Sequence, residues 1–245
     1  MKIIYADNNA TTAVAPEVVE AMMPFFTQEY FNPSSMYERA RTTNEAVDGA
    51  RRTVARSISV RDAAQILFTS CATEANSTAI LGAIKANPHR RHIVTSAVEH
   101  PSVFELCKDL ERQGFEITYT PVDREGRLDI RSFVRALRPD TLLVTIMHAN
   151  NETGVIFPIE QLSRLTKETD PAILFHTDAT QSVGKLEINL EGRFKHVDML
   201  SFSGHKLHAP KGIGALFLRK GTRCRPFILG GHQESGRRAG TENVP

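Results

Sequence analysis

Short apolar runs alternate with segments of helical periodicity along most of the chain, and this alternation constrains the fold more than any other feature. Apolar runs of about four to eight residues are typical of buried strands, whereas apolar pairs at helical spacing are typical of amphipathic helices. The alternation predicts an α/β protein in which helices cover both faces of a mostly parallel sheet. The predicted strands are 65–70, 92–96, 115–122, 141–148, 172–178, 197–203 and 212–219, and the predicted helices are 17–26, 36–58, 73–86, 102–114, 129–138 and 159–169.

Two of the predicted helices contain residues that disfavour helical backbone. Pro24 lacks a backbone N–H, and its ring clashes with the preceding turn, so it is predicted to kink or end helix 17–26. Asp48 and Gly49 are both poor helix formers, and they are predicted to interrupt helix 36–58.

Polar clusters of small residues follow five of the predicted strands. In sheets of this kind, ligands bind outside the carboxyl ends of the strands. Five such clusters predict a single functional site at that edge of the sheet. Their sequences are SCATEAN, VEHPS, HANNETG, DATQ and SGHK.

The composition is that of an ordinary soluble protein and narrows the function mainly by exclusion. At 245 residues the chain is long enough for one large domain or two modest ones. A net charge of +2 gives no electrostatic reason to expect nucleic-acid or membrane binding, and no apolar run approaches the ~20 residues of a membrane span. Three cysteines, few and odd in number, fit a reducing compartment, so a cytoplasmic location is predicted.

Lys206 and Asp178 are the strongest candidates for chemistry. Lys206 follows one predicted strand, among small, hydroxylic and imidazole neighbours, and Asp178 ends another. Together they predict a pyridoxal 5'-phosphate site, in which Lys206 is the amine that bonds the cofactor's aldehyde and Asp178 pairs with the pyridinium nitrogen. Taken singly, Lys206 is more simply a surface lysine and Asp178 a carboxylate that caps a turn.

The phosphate of such a cofactor needs hydrogen-bond donors. Ala72 and Thr73 lie at a strand-to-helix turn, where the helix N-terminus can donate to a dianion. Ser203 and His205 can add side-chain hydrogen bonds. For Thr73 alone, an ordinary helix cap is the simpler reading.

Three further residues are candidates for contact with the cofactor ring. Gln181 and Asn151 can reach its phenolic oxygen, although a pair of asparagines at 150–151 is also common in turns. His100, between a strand and Pro101, can lie on the ring face and relay protons near neutral pH, although a lone histidine is more often structural.

Two other patterns are weak. His205 and His208 are spaced like a metal-binding pair, but no cysteine or carboxylate cluster completes the set, so no metal site is predicted. Gly212 and Gly214 lack the third glycine and the strand–helix context of a dinucleotide-binding loop. A nucleotide-binding module is therefore disfavoured.

The chain resembles the cysteine desulfurases, fold-type-I pyridoxal-phosphate enzymes that mobilise sulfur for iron–sulfur clusters. The resemblance runs from residue 3 to the last residue and is closest to the branch associated with nitrogenase cluster assembly. It implies the large-domain fold of that class for residues 15–245, with residues 1–14 associated with a small domain. The blocks that carry it are YADNNATT, NPSSMYERA, TSCATEAN, VEHPSV, HANNETG, HTDATQSVGK, SGHKLHAPKGIGALFLR and GGHQESGRRAGTEN.

The resemblance implies the same site roles and adds others. Thr241 matches a residue that reaches the phosphate of a neighbouring subunit, which implies a homodimer with shared sites. L-Cysteine is the implied substrate and an iron–sulfur scaffold protein the implied sulfur acceptor. The family's persulfide-forming cysteine lies downstream of residue 245, as do the small domain and the substrate-binding arginine, so a fragment of a longer enzyme is expected. Cys71, inside the phosphate turn, is expected to pack rather than react.

The predicted function is removal of sulfur from L-cysteine to give L-alanine and an enzyme-bound persulfide. Two alternatives stay open. One is a selenocysteine lyase or another class-V aminotransferase-like enzyme. The other is a scaffold that binds pyridoxal phosphate but is catalytically incomplete.

Overall fold

A single seven-stranded sheet organises the computed structural model, which describes residues 3–245. The strand order is β1-β7-β6-β5-β4-β2-β3. The strands are β1 Ile66–Thr69, β2 His92–Ser96, β3 Glu116–Thr120, β4 Thr141–Thr145, β5 Leu174–Asp178, β6 Met199–Ser203 and β7 Gly214–Leu218. The helices are α1 Pro16–Thr27, α2 Glu38–Ser57, α3 Ala72–Ala86, α4 Pro101–Arg112, α5 Ile130–Ala136 and α6 Ile159–Thr169.

The sheet is parallel except for one strand. β3, β2, β4, β5 and β6 pair in parallel, and β7 pairs antiparallel with both β6 and β1. The mostly parallel α/β fold is therefore confirmed. Because β7 runs in reverse, its first residue, Gly214, lies beside the last residues of β1 and β6, Thr69 and Ser203.

Helices cover both faces, because side chains alternate along each strand. Leu143 packs into a core formed with α3 and α4, and the next residue, Val144, packs into a second core with α2, α5 and α6. The same alternation holds for neighbouring residues of β1, β2, β6 and β7. Strands buried on both faces, as here, read as continuous apolar runs in the sequence.

The structure corrects the expected interruption of helix 36–58 and shows that helix 17–26 does not end at Pro24. α2 is continuous through Asp48 and Gly49, because the packing of its buried Ala40, Thr43 and Ala55 outweighs the ~1 kcal/mol that glycine costs in a helix. α1 likewise continues past Pro24 to Thr27. The carbonyl of Pro24 accepts the N–H groups of residues 28 and 29, so the turn after the proline stays hydrogen-bonded.

No helix within residues 3–245 combines the length and the apolar character needed to cross a bilayer.

Candidate active site

A cavity of about 320 Å³ opens at the edge of the sheet where the parallel strands end. The loops after β1, β2, β4, β5 and β6 all contribute to it, as the five polar clusters predict. Nine of the ten predicted site residues line it: Ala72, Thr73, His100, Asn151, Asp178, Gln181, Ser203, His205 and Lys206. Thr241 lies elsewhere, in a second cavity beside Phe68 and Ser70.

The first turn of α3 forms one wall of this cavity. Cys71 precedes the helix in an extended conformation, and its own side chain makes no capping hydrogen bond to the first turn. Gly214 of β7 packs directly under this turn, since a Cβ atom there would lie 2.6 Å from the carbonyl carbon of Cys71. The close approach explains the glycine, because any side chain there would collide with the backbone of Cys71.

Glu74 stands in the same turn, where an unpaired carboxylate would repel a phosphate. Arg238 binds it through two hydrogen bonds of 2.8 and 3.2 Å, and the N–H of Ser70 donates to it at 2.8 Å. Burial alone would raise the pKa of Glu74, but the hydrogen bonds from Arg238 and Ser70 lower it. Arg238, which the sequence shows only as part of an arginine-rich loop, thus neutralises the carboxylate nearest the helix N-terminus.

Asp178 ends β5 at the floor of the cavity and is buried. Its Oδ1 accepts the N–H of Thr180 at 2.9 Å, and its Oδ2 accepts Nδ2 of Asn76 at 2.7 Å. These two donors fix the plane of the carboxylate. A buried, oriented carboxylate in a cavity is well placed to pair with a cationic ring nitrogen.

Lys206 lies in a short 3-10 turn, Gly204–Lys206, directly after β6. Its Nζ donates to the carbonyl oxygens of Asn9 and Ala10, the latter at 2.8 Å. Burial and the nearby ammonium of Lys185 lower the pKa of Lys206, against the opposing attraction of Asp7 and Asp178. A lowered pKa increases the neutral amine fraction, which is the form that attacks a carbonyl.

His100 caps α4 from the rim of the cavity. Its Nδ1 accepts the N–H of Ser102 at 3.1 Å and lies 2.9 Å from the hydroxyl of that serine. Pro101 occupies the first helical position, where its missing N–H costs nothing.

Three further predicted side chains, those of Gln181, His205 and Ser203, already have protein partners. Nε2 of Gln181 donates to the Asn9 carbonyl at 2.9 Å, and Nδ1 of His205 lies 3.1 Å from the Thr11 hydroxyl. Ser203 makes only a long contact, 3.5 Å, to the carbonyl of Ile213. Burial and Lys206 lower the pKa of His205, which favours its neutral form.

Residues 9–12 form a wall of the site that sequence reasoning did not place there. Asn9 and Ala10 bind Lys206, and the N–H and hydroxyl of Thr12 both donate to the carbonyl of His205. The motif DNNATT was visible, but nothing in its periodicity shows which strand end it covers. The assignment of residues 1–14 to a small domain stays a prediction, and residues 1 and 2 lie outside the described residues.

Glu99 is a buried carboxyl beneath the cavity that sequence reasoning missed. It accepts the Ser96 hydroxyl at 2.5 Å and the Met147 N–H at 3.0 and 3.1 Å. Burial, with a smaller contribution from Asp178, raises its pKa to about 8, although the bonds from Ser96 and Met147 oppose the shift. In the sequence, Glu99 looks like any carboxylate in a loop.

This raised pKa predicts a pH-dependent effect of Glu99→Gln. At pH values between 4.5, the ordinary pKa of this carboxyl, and about 8, its pKa in the folded protein, the folded wild type binds a proton at Glu99 that the unfolded chain has lost. The free energy of unfolding of the wild type therefore falls with rising pH by up to ~1.4 kcal/mol per unit, whereas glutamine resembles the protonated acid and removes this dependence. Urea unfolding at pH 5 and pH 8 measures the free energy of unfolding of both proteins. The difference between Glu99→Gln and the wild type should shift in favour of the variant as the pH rises from 5 to 8. A difference that does not change with pH would contradict the prediction.

Cys107 and Cys224 do not resemble activated nucleophiles. Burial raises the pKa of Cys107 to about 12 and that of Cys224 to about 11, so both are neutral thiols near pH 7. Cys71 lies at the cavity wall as the residue before α3. Within residues 3–245 no group of three or more histidine, cysteine or acidic side chains is arranged to hold a metal ion.

The residues present fit pyridoxal phosphate. The uncapped first turn of α3, with the glycine beneath it, suits a phosphate, and the anchored carboxylate of Asp178 suits a ring nitrogen. Lys206 lines the same cavity, as a bond to the aldehyde requires. The cavity volume lies within the range of about 300–1,000 Å³ that small-molecule sites occupy.

Comparisons with known proteins agree with this chemistry. The family model for class-V aminotransferases matches residues 4–245. A cysteine desulfurase of Trichormus azollae is 53% identical over the whole chain, and the cysteine desulfurase NifS of Azotobacter vinelandii is 51% identical. The chain spans 60% of the length of each.

Solved structures show the same fold, and this chain covers a larger share of their length than of the two relatives above. A NifS-like protein superposes with a TM-score of 0.95 at 41% identity, over 98% of this chain and 66% of that one. SspA in complex with cysteine superposes with a TM-score of 0.92 at 40% identity, over 98% of this chain and 69% of that one. The chain therefore belongs to the class-V aminotransferase family, whose cofactor is pyridoxal phosphate, and it is similar to cysteine desulfurases of that family.

Proposed function

We propose that the protein is a cysteine desulfurase. L-Cysteine and an enzyme thiol would react to give L-alanine and an enzyme persulfide: the substrate C–S bond breaks, an S–S bond forms, and a proton replaces sulfur on the substrate carbon. The observation that carries the proposal is the single cavity that joins Lys206, Asp178 and the uncapped turn of α3. Identity above 50% to proteins named cysteine desulfurase supports the choice of reaction.

We propose the roles that the resemblance implies, and the position of nine of these residues around one cavity supports them. Pyridoxal phosphate, when bound, supplies an electron sink for the bonds of the substrate carbon. Asp178 would pair with the ring nitrogen and keep it protonated, and Lys206 would be the amine that holds the aldehyde and, when free, the base for the Cα proton. Backbone N–H groups at Ala72 and Thr73, together with the side chains of Thr73, Ser203 and His205, bind the phosphate. Gln181 and Asn151 bind the ring oxygen, and His100 covers the ring face.

Lys206 has to leave its present acceptors for this role. The carbonyls of Asn9 and Ala10 favour the ammonium, whereas the reaction needs the neutral amine. Bonding to the cofactor therefore exchanges two carbonyl contacts for a covalent bond. The lowered pKa of Lys206 reduces the cost of that exchange.

The wider setting forms part of the same proposal. Thr241 would reach the phosphate of a second subunit, consistent with its position outside the first cavity, so that a homodimer shares its sites. The nucleophilic cysteine would be none of Cys71, Cys107 and Cys224. We further propose that the enzyme is cytoplasmic and that residues 15–245 form its large, cofactor-binding domain, with residues 1–14 associated with a small domain. It would deliver sulfur to a scaffold protein for nitrogenase iron–sulfur clusters.

The test is to incubate the intact, pyridoxal-phosphate-loaded protein with L-cysteine and quantify alanine together with protein-bound persulfide. Equal amounts of both in the first turnover are expected. A protein that forms alanine only from selenocysteine is a selenocysteine lyase, and one that binds the cofactor without forming alanine is a scaffold. Either result would overturn the proposal.

A further inference from the structure

The ring of His100 is fixed at one of its two nitrogens. The backbone N–H of Ser102 donates to Nδ1 at 3.1 Å, and the hydroxyl of Ser102 lies 2.9 Å from the same atom. A backbone N–H can only donate, so Nδ1 must accept and carries no proton. The hydrogen of the neutral ring therefore sits on Nε2.

The hydroxyl of Ser102 is oriented by a second neighbour. Nδ2 of Asn76, on α3, donates to the Ser102 oxygen at 2.9 Å. With that oxygen accepting and Nδ1 unprotonated, the serine hydrogen points to His100. Donation thus runs in one direction, from Asn76 through Ser102 to His100.

The second N–H of the Asn76 amide donates to Asp178. The same Nδ2 lies 2.7 Å from Oδ2 of that carboxylate. The reverse orientation of the amide would place its oxygen against the carboxylate, so the assignment of nitrogen and oxygen is fixed by charge. One amide group therefore joins the ring-facing carboxylate to the histidine that caps α4.

The oxygen of this amide indicates what Asn76 is for. Asn76 is fully buried, and its Oδ1 has no hydrogen-bond partner within residues 3–245. A buried oxygen without a partner costs folding free energy. The residue is better explained by the two groups that its NH2 joins than by a contribution to stability.

We propose that Asn76 and Ser102 are positioning residues that couple Asp178 to His100 and hold the neutral imidazole with its hydrogen on Nε2. This rests on the function proposed above, in which Asp178 addresses the nitrogen of the cofactor ring and His100 its face. The group proposed to contact the ring nitrogen and the group proposed to contact the ring face then belong to one hydrogen-bond chain. Neutral His100 presents a donor rather than a lone pair at Nε2.

The test is nitrogen-15 NMR of the histidine rings in cofactor-free protein, with His100 assigned by loss of its signals in His100→Gln. In the wild type at pH 8, Nδ1 of His100 should resonate as an unprotonated nitrogen and Nε2 as a protonated one. A protonated Nδ1 would overturn the proposal without any further variant.

Variants test the coupling. Asn76→Ala should shift the His100 Nδ1 resonance although Asn76 does not touch that ring, and the same change should have no effect in a Ser102→Ala background. Thr78→Val is the matched control, since Thr78 is also buried on α3 and its hydroxyl has no partner among residues 3–245. It lies outside this chain of bonds, so its replacement should leave the His100 resonances unchanged. The proposal is contradicted if Asn76→Ala leaves the His100 Nδ1 resonance unchanged, or if the same shift persists in the Ser102→Ala background.

A second readout separates this inference from the proposed function. Titration with pyridoxal phosphate, followed by visible absorbance, should show about tenfold weaker binding for Asn76→Ala and unchanged binding for Thr78→Val. If the NMR coupling is present but the wild type develops no visible band, the proposed function fails while the hydrogen-bond chain stands. If the band is present and the coupling absent, the inference fails alone.

Discussion

Lys206→Ala should abolish both turnover and the visible absorbance of the lysine-bound cofactor. Alanine offers no amine to bond the aldehyde, and the freed amine is also the group proposed to move the Cα proton. Loss of a covalent catalytic group removes more transition-state stabilisation than loss of any single hydrogen bond. The measurement is the absorbance spectrum of the variant with added pyridoxal phosphate, followed by an alanine assay with L-cysteine.

Lys211→Ala is the matched control. Lys211 lies in the loop five residues on, is exposed, and does not line the cavity. It should keep both the band and the turnover. A Lys206→Ala protein that kept both would show that another group holds the cofactor.

Asp178→Asn should lower turnover by about 100-fold or more while leaving the protein folded. Asparagine keeps the shape and an acceptor oxygen for the Thr180 N–H, but it cannot hold a positive charge on the ring nitrogen. Loss of one oriented electrostatic partner in an active site costs on the order of 10²–10³ in rate. The measurement is kcat for alanine formation, with cofactor content determined for each sample.

Asp198→Asn separates this effect from the general loss of a paired, partly buried carboxylate. Asp198 is paired with Lys167 at 2.6 Å and accepts the Phe175 N–H, immediately before β6 and so at the opposite edge of the sheet. Its replacement should reduce stability without a comparable loss of kcat. Equal losses of kcat in the two variants would remove the special role of Asp178.

The sequence predicts the parallel part of this fold well because its inner strands, such as β2, β4 and β6, are buried on both faces. Strands such as Thr141–Thr145 therefore appear as short uninterrupted apolar runs between helices. The polar clusters after these runs meet at one edge because the carboxyl ends of parallel strands lie together, so nine of the cavity residues could be predicted from their positions at strand ends. Their roles in binding and catalysis remain predictions.

Other features depend on contacts between residues distant in the chain. Asn76 lies in a regular helix, and only the folded chain brings it to Asp178. Local periodicity predicts neither the pairing of Arg238 with Glu74 nor the position of residues 9–12 next to Lys206. Glu99 shows the same limit, because desolvation of a carboxyl is set by its surroundings and not by its neighbours in sequence.

The position of β1 has a consequence for synthesis on the ribosome. β1 is an outer strand whose sole neighbour is β7, the reversed strand, translated about 150 residues later. At about 5–20 residues per second, an emerging β1 waits roughly 7–30 s before its partner exists. During that interval its apolar side chains and unpaired backbone groups are open to wrong pairing, so chaperones that bind extended apolar segments would act on this part of the nascent chain first.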